Sequence, residues 1–229
     1  ISKYINNDEI IKDSNYKNGV LDGKVIIYKN GKIEADTDYK NGILDGKVII
    51  YKNGQVVKES ECKNNMITGI RKKYKEKRGE SILIEQNYVS NLKNGLYKKT
   101  YTHNLFVYHT GNYLNNKKNG IFKTIMNHNI SEKKYENGKM LYHYYYVDNE
   151  PNVVCIVEER RYISENHYEC KIYTREKNRR IIKSYYIKNN HCDGICICYN
   201  DNGSIEIKNY KDGIINGEQK IINKKGVLI

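Results

Sequence analysis

Tyr16-Lys-Asn-Gly-Val-Leu-Asp-Gly23-Lys-Val-Ile-Ile-Tyr28-Lys-Asn-Gly31 is followed by Tyr39-Lys-Asn-Gly-Ile-Leu-Asp-Gly46-Lys-Val-Ile-Ile-Tyr51-Lys-Asn-Gly54, the same phrase 23 residues further on. Self-similarity at a period of roughly 20–50 residues marks a repeat architecture. Counting the first tyrosine as position 0, glycine recurs at position 7 and a mostly aromatic or aliphatic residue at position 12. The phrase continues from Cys62 (Gly69, Tyr74), Tyr88 (Gly95, Thr100) and Tyr113 (Gly120, Ile125), and it blurs from Tyr135 and Tyr162. It returns at Ile187 (Gly194, Tyr199) and Tyr210 (Gly217, Ile222). Nine units cover residues 16–229: 16–134 and 187–229 are regular, 135–186 irregular, and 1–15 reads as the second half of an earlier unit.

Each unit reads as two strands. Lys24-Val-Ile-Ile-Tyr28 is short and β-branched, and Asn30-Gly31 follows as a hairpin signal, because both residues tolerate the positive φ of a type I′ turn. A second strand runs from about Lys32 to Tyr39, and the chain turns again through Asn41-Gly42 and Asp45-Gly46. Successive strands are then antiparallel neighbours. The expected fold is all-β: an elongated single antiparallel sheet of about nine two-stranded repeats, a β-solenoid or ribbon. At about 4.8 Å per strand it would be roughly 85 Å long. The single proline, Pro151, fits, since strand interiors need their N–H groups for the ladder.

The Tyr-x-Asn-Gly-x-x-x-Gly-x-x-x-x-Tyr-x-x-x-Gly cadence resembles the MORN repeat, most closely the looser bacterial and viral variant sometimes labelled antitoxin-like. The resemblance covers almost the whole chain and is strongest over Tyr16–Gly54 and Ile187–Gly217. It implies an elongated antiparallel sheet that binds protein partners and catalyses nothing. For the antitoxin-like label, it implies a cytosolic neutraliser of a protein partner.

Side chains alternate across a strand, so positions 8, 10 and 12 share one face and positions 9 and 11 the other. The tyrosines at positions 0 and 12 are expected to stack into a ladder that forms the thin core. The position-7 glycines Gly23, Gly46 and Gly69 are expected at tight corners. Positions 9 and 11 hold Val25 and Ile27, then Val48 and Ile50, so the first two units are apolar on both faces. Either the ribbon covers both faces or this stripe is open to a partner.

The chain has 229 residues, 38% hydrophobic and 29% charged, with 23 tyrosines, two phenylalanines and no tryptophan. No stretch approaches the roughly 18 unbroken apolar residues of a membrane-spanning helix. The start at Ile1, without Met, is expected to reflect a fragment of a longer chain. Forty Lys and Arg against 27 Asp and Glu leave a net charge of +13. Nucleic acid, an anionic membrane surface or an acidic partner would answer that charge. So would plain composition, since Lys, Asn, Ile and Tyr have A/T-rich codons and suit a large DNA virus or an A/T-rich bacterium.

His191-Cys192-x-x-x-Cys196-x-Cys198 invites a zinc reading. The register opposes it, because Cys192, Cys196 and Cys198 replace Leu21, Val25 and Ile27, and Cys62 replaces Tyr16. We expect neither a metal nor a cofactor, and reduced thiols in a cytoplasmic setting (host cytoplasm or virion for a viral protein). No phosphate loop, nucleophile elbow or zinc-protease helix signature occurs, so no catalytic residue is assigned and no enzyme is expected.

Two places break the period. Arg71-Lys72-Lys73-Tyr-Lys75-Glu-Lys77-Arg78 sets six cations against one anion and reads as a contact for phosphate or an acidic protein. Tyr142-His-Tyr144-Tyr-Tyr146, with Arg160 and Arg161, combines residues that dominate binding hot spots and reads as the first choice of protein contact. Val25, Ile27, Val48 and Ile50 come second. The final Val227-Leu228-Ile229 is apolar and uncapped, which predicts a longer natural chain or pairing of this end with a second copy. The expected function is a protein-binding scaffold; the alternative is a basic module for nucleic acid or anionic membrane. Lysines segregated to one face with aromatics between them would favour the alternative.

Overall fold

A computed structural model describes residues 2–6, 9–101, 107–127, 129–150, 153–174 and 179–229, with side chains at all of these except 5, 6, 9, 10, 147–150 and 153–156. Pro151 lies outside the described residues. Every regular element described is a β-strand, and among the described residues no helix is long and apolar enough to cross a membrane. The chain divides into two compact units, Ile1–Lys117 and Lys118–Ile229.

The first unit is a meander of β1 (Ser2–Asn6), β2 (Glu9–Lys17), β3 (Val20–Lys29), β4 (Lys32–Lys40), β5 (Ile43–Lys52), β6 (Gln55–Lys63), β7 (Met66–Lys77), β8 (Glu80–Val89), β9 (Leu92–Tyr101) and β10 (Val107–Leu114). Each strand pairs antiparallel with the one before it. After β11 (Lys117–Lys118), the second unit repeats the plan. It runs through β12 (Gly120–Met126), β13 (Asn129–Glu136), β14 (Lys139–Glu150), β15 (Val153–Ser164), β16 (His167–Tyr173), β17 (Ile181–Lys188), β18 (His191–Cys192), β19 (Gly194–Tyr199), β20 (Ile205–Lys211), β21 (Ile214–Ile215) and β22 (Lys220–Ile222). Its neighbours are again antiparallel. Among the described residues no pairing closes either meander into a barrel. Within the irregular repeats, β14 and β15 are 12 residues each, as long as any strand described.

The Asn-Gly corners are the expected primed turns. Asn30 and Gly31 have φ of 49° and 69°, and Asn41 and Gly42 have 50° and 79°. The position-7 glycines are not corners. Gly23 and Gly46 lie inside β3 and β5 with φ of 104° and 129°. There the glycine strand carries extra residues: Ser14 opposes Val25, whereas Tyr16 already opposes Leu21. This is a β-bulge, and a bulge asks for positive φ as a corner does. The aspartate before each glycine ties one repeat to the next: Asp22 accepts from the Asn41 N–H at 3.2 Å, and Asp45 from the Asn64 N–H at 3.4 Å.

The tyrosine ladder supplies only part of the core: Tyr88 is buried, but Tyr39 and Tyr113 are half-buried. Position 0 and position 12 fall on opposite faces, and Tyr28 and Tyr74 spend their hydroxyls on Asp13 and Glu59, at 3.3 and 3.2 Å. Tyr16 is exposed. Small side chains directly opposite one another, Ser14, Val25, Thr37, Val48 and Ser60, form a row whose Ser14, Val25 and Ser60 are buried. Ser14 and Val25 are 3% exposed and Ser60 4%. Small residues suit a thin sheet, because their neighbours' longer chains can fold over them.

Candidate functional site

From β6 onward the same buried face changes character. Residues that oppose one another across antiparallel strands share a face. Lys58, Lys73, Ile84, Lys99 and His109 form one such row across β6–β10. Beside it run Arg71, Gln86, Tyr97 and Gly111, and then Lys75, Ile82 and Tyr101. The row one residue away points to the other face: Glu59, Lys72, Glu85, Lys98 and Thr110. The second row alternates in sign and can neutralise itself. The first holds no carboxylate.

None of Lys58, Arg71, Lys73 and Lys93 makes an ion pair among the described residues. Aromatic faces take the place of acids. Arg71 sits 5.7 Å from the Tyr88 ring centre, Lys93 5.1 Å from that of Tyr113, and Lys99 4.6 Å from that of Tyr101. Tyr97 meets Tyr113 edge to face at 6.0 Å. Burial pushes the Lys58 and Lys73 ammonium groups below the ordinary lysine range, and the Arg71 charge lowers both further. Among the described residues, Arg71 Nε is a buried donor with no acceptor, and Gln86 Oε1, directly across the ladder, a buried acceptor with no donor. Lys58, Arg71, Lys73 and Lys99 are all half-buried, whereas Lys75 and Lys77 are exposed.

The pleat therefore divides the predicted basic run. Arg71, Lys73, Lys75 and Lys77 stand on the cationic face, Lys72 points to the other, and Arg78 is turn residue with φ of 53°. Lys58 and Lys99 complete the patch from strands that are remote in sequence, so only the register reveals them. The aromatic and arginine cluster of the second unit is divided in the same way. Tyr142 opposes Arg161 and Tyr144 opposes Glu159 on one face, while Arg160 opposes His143 on the other. Tyr142 and Tyr144 stack at 6.0 Å with an interplanar angle of 11°. Tyr146 donates to Glu132 at 3.3 Å, and burial, then that carboxylate, pushes its hydroxyl up to about 12. Arg160 is held to Glu158 and lies over the rings of Tyr145 and Tyr168.

The apolar stripe is not a continuous open patch. Val25 is core, Val48 and Ile50 are half-buried, and only Ile27 is exposed, at 38%. A depression of about 540 Å³ in the second unit is lined mainly by Tyr135, Met140, Leu141, Tyr162 and Ile163. Cys62, Cys170, Cys192, Cys196 and Cys198 are free thiols. Burial, then the neighbouring Cys198, pushes the Cys196 thiol up to about 11. Among the described residues no group of three or more His, Cys, Asp or Glu is placed to hold a metal ion.

No protein-family model matches the chain, and no curated protein matches it. A half-desolvated row of cations with no internal anion is a surface that gains most from an anion arriving from outside.

Proposed function

We propose that the chain is a non-enzymatic binding module, a repeat-built sheet whose cationic face on β6–β10 takes a polyanionic partner. One observation carries the reading: the Lys58, Lys73 and Lys99 row is free of carboxylates, while its neighbour alternates Glu59, Lys72, Glu85 and Lys98. A charge excess recording composition alone would spread over both faces. The strands preform the surface, so little ordering entropy is lost on binding. The MORN-like cadence suits a binding role, and free thiols suit a cytoplasmic one.

A protein scaffold is the second reading, and the stacked Tyr142 and Tyr144 beside Arg161 favour it. A neutraliser of a toxic protein falls within it.

Heparin chromatography separates composition from arrangement. Lys58→Gln/Lys73→Gln and Lys72→Gln/Lys98→Gln remove the same charge from opposite faces. The first pair should elute at clearly lower salt than the parent, and the second close to it. Equal shifts would reduce the effect to net charge and sink the proposal.

A further inference from the structure

We infer that the polyanion is a single-stranded nucleic acid, its phosphates on Lys58, Arg71, Lys73 and Lys99 and its bases against Tyr97, Tyr101 and Tyr113. This rests on the polyanion reading above and names its ligand. Phosphate alone would ask only for cations. This face instead sets a ring beside each of several cations: Tyr88 with Arg71, Tyr113 with Lys93, Tyr101 with Lys99. Tyr97, Tyr101 and Tyr113 are half-buried, whereas Tyr88 is packed away as support.

Single-strand binding combines these two elements, a positive track for the backbone and aromatic faces on which bases stack without sequence preference. Duplex DNA keeps its bases stacked inside, and heparin or a lipid headgroup has no π-face to offer. Arginine adds to the match, because its planar guanidinium both pairs with phosphate and stacks on a base. At about 4.8 Å per strand, β6 to β10 make a track roughly 20 Å across. On the opposite face of the same strands, Glu59 and Glu85 flank Lys72 and weaken its pull on phosphate.

The test is fluorescence anisotropy on the full chain with labelled oligothymidylate, a labelled duplex of equal length, labelled heparin, and phosphatidylserine vesicles. The oligothymidylate should bind at least about tenfold tighter than the duplex. Tyr101→Leu/Tyr113→Leu should lose roughly tenfold on oligothymidylate, as expected for stacking worth about 1–3 kcal/mol per base, and less than about twofold on heparin. Tyr101→Phe/Tyr113→Phe keeps the rings and should keep the binding, which guards against a variant that merely unfolds. Lys58→Gln/Lys73→Gln should weaken both ligands. Equal affinity for duplex, or oligothymidylate binding indifferent to the leucine pair, overturns the inference and leaves the polyanion reading standing. Binding to vesicles alone also overturns it. No binding to any polyanion overturns both.

Discussion

Gly46→Ala should destabilise the first unit by about 3 kcal/mol or more, lowering its melting temperature by roughly 10 °C. Two costs combine. Gly46 has φ of 129°, which side chains rarely adopt, and an added Cβ would stand 2.7 Å from the Asp38 Cβ. Asp38 cannot step aside without loss, because its carboxylate accepts from the Lys47 N–H at 3.0 Å. Gly31→Ala is the matched control. Its φ is 69°, with nothing within 4 Å of the added atom, so the cost should stay near about 1–2 kcal/mol. Urea titration followed by circular dichroism reads both. Equal losses would mean that the position-7 glycine serves as an ordinary turn residue and that the bulge is not what makes it obligatory.

Acid should weaken the second unit through His143. This imidazole is 2% exposed, sits across the ladder from both Lys133 and Arg160, and bonds Ser131 Oγ at 2.8 Å. Burial, and then those two cations, pushes its pKa from 6.5 down to about 4. The unfolded ring takes up a proton below pH 6.5, whereas the folded ring stays neutral until about pH 4. Its contribution is therefore fully present above pH 6.5 and is lost as pH falls towards 4, a change on the order of 3 kcal/mol. His143→Gln keeps a polar partner for Ser131 but cannot titrate. Denaturation at about pH 7.5 and about pH 5 should show a smaller pH loss for the variant than for the parent. Identical losses would show that the buried imidazole does not govern the acid response.

The repeat was legible because its turn chemistry is local. Asn30-Gly31 and Asn41-Gly42 can be read without knowing what lies across the sheet. Gly23 and Gly46 were legible as positive-φ positions but not as bulges, since corner and bulge make the same demand on φ and differ only in what faces them. Alternation assigned Val25 and Tyr28 to opposite faces, yet it could not say which face is buried. Tyrosine is apolar enough for a core and polar enough for a rim, and Tyr28 chose Asp13. The small residue two places before position 0, Ser14, Thr37 and Ser60, was the signal for the core row and is visible in the sequence.

The candidate site was half legible for the same reason. Arg71 and Lys73 stand two apart, so the pleat alone puts them together and sends Lys72 away. Lys58 and Lys99 join them only through register, which depends on bulges the sequence does not announce. Arg160 and Arg161, adjacent in the chain, were bound to face apart, and a contact using both at one surface could have been ruled out by alternation.

The salt dependence of oligothymidylate affinity tests the cationic row most directly. Each phosphate contact on a single strand contributes roughly 0.7 to the slope of log affinity against log salt. Lys58→Gln/Lys73→Gln/Lys99→Gln should therefore flatten the slope by about 2, while Lys72→Gln/Lys98→Gln leaves it unchanged. Equal slopes for both variants, or a parent whose binding ignores salt, would contradict the assignment of the partner to this face.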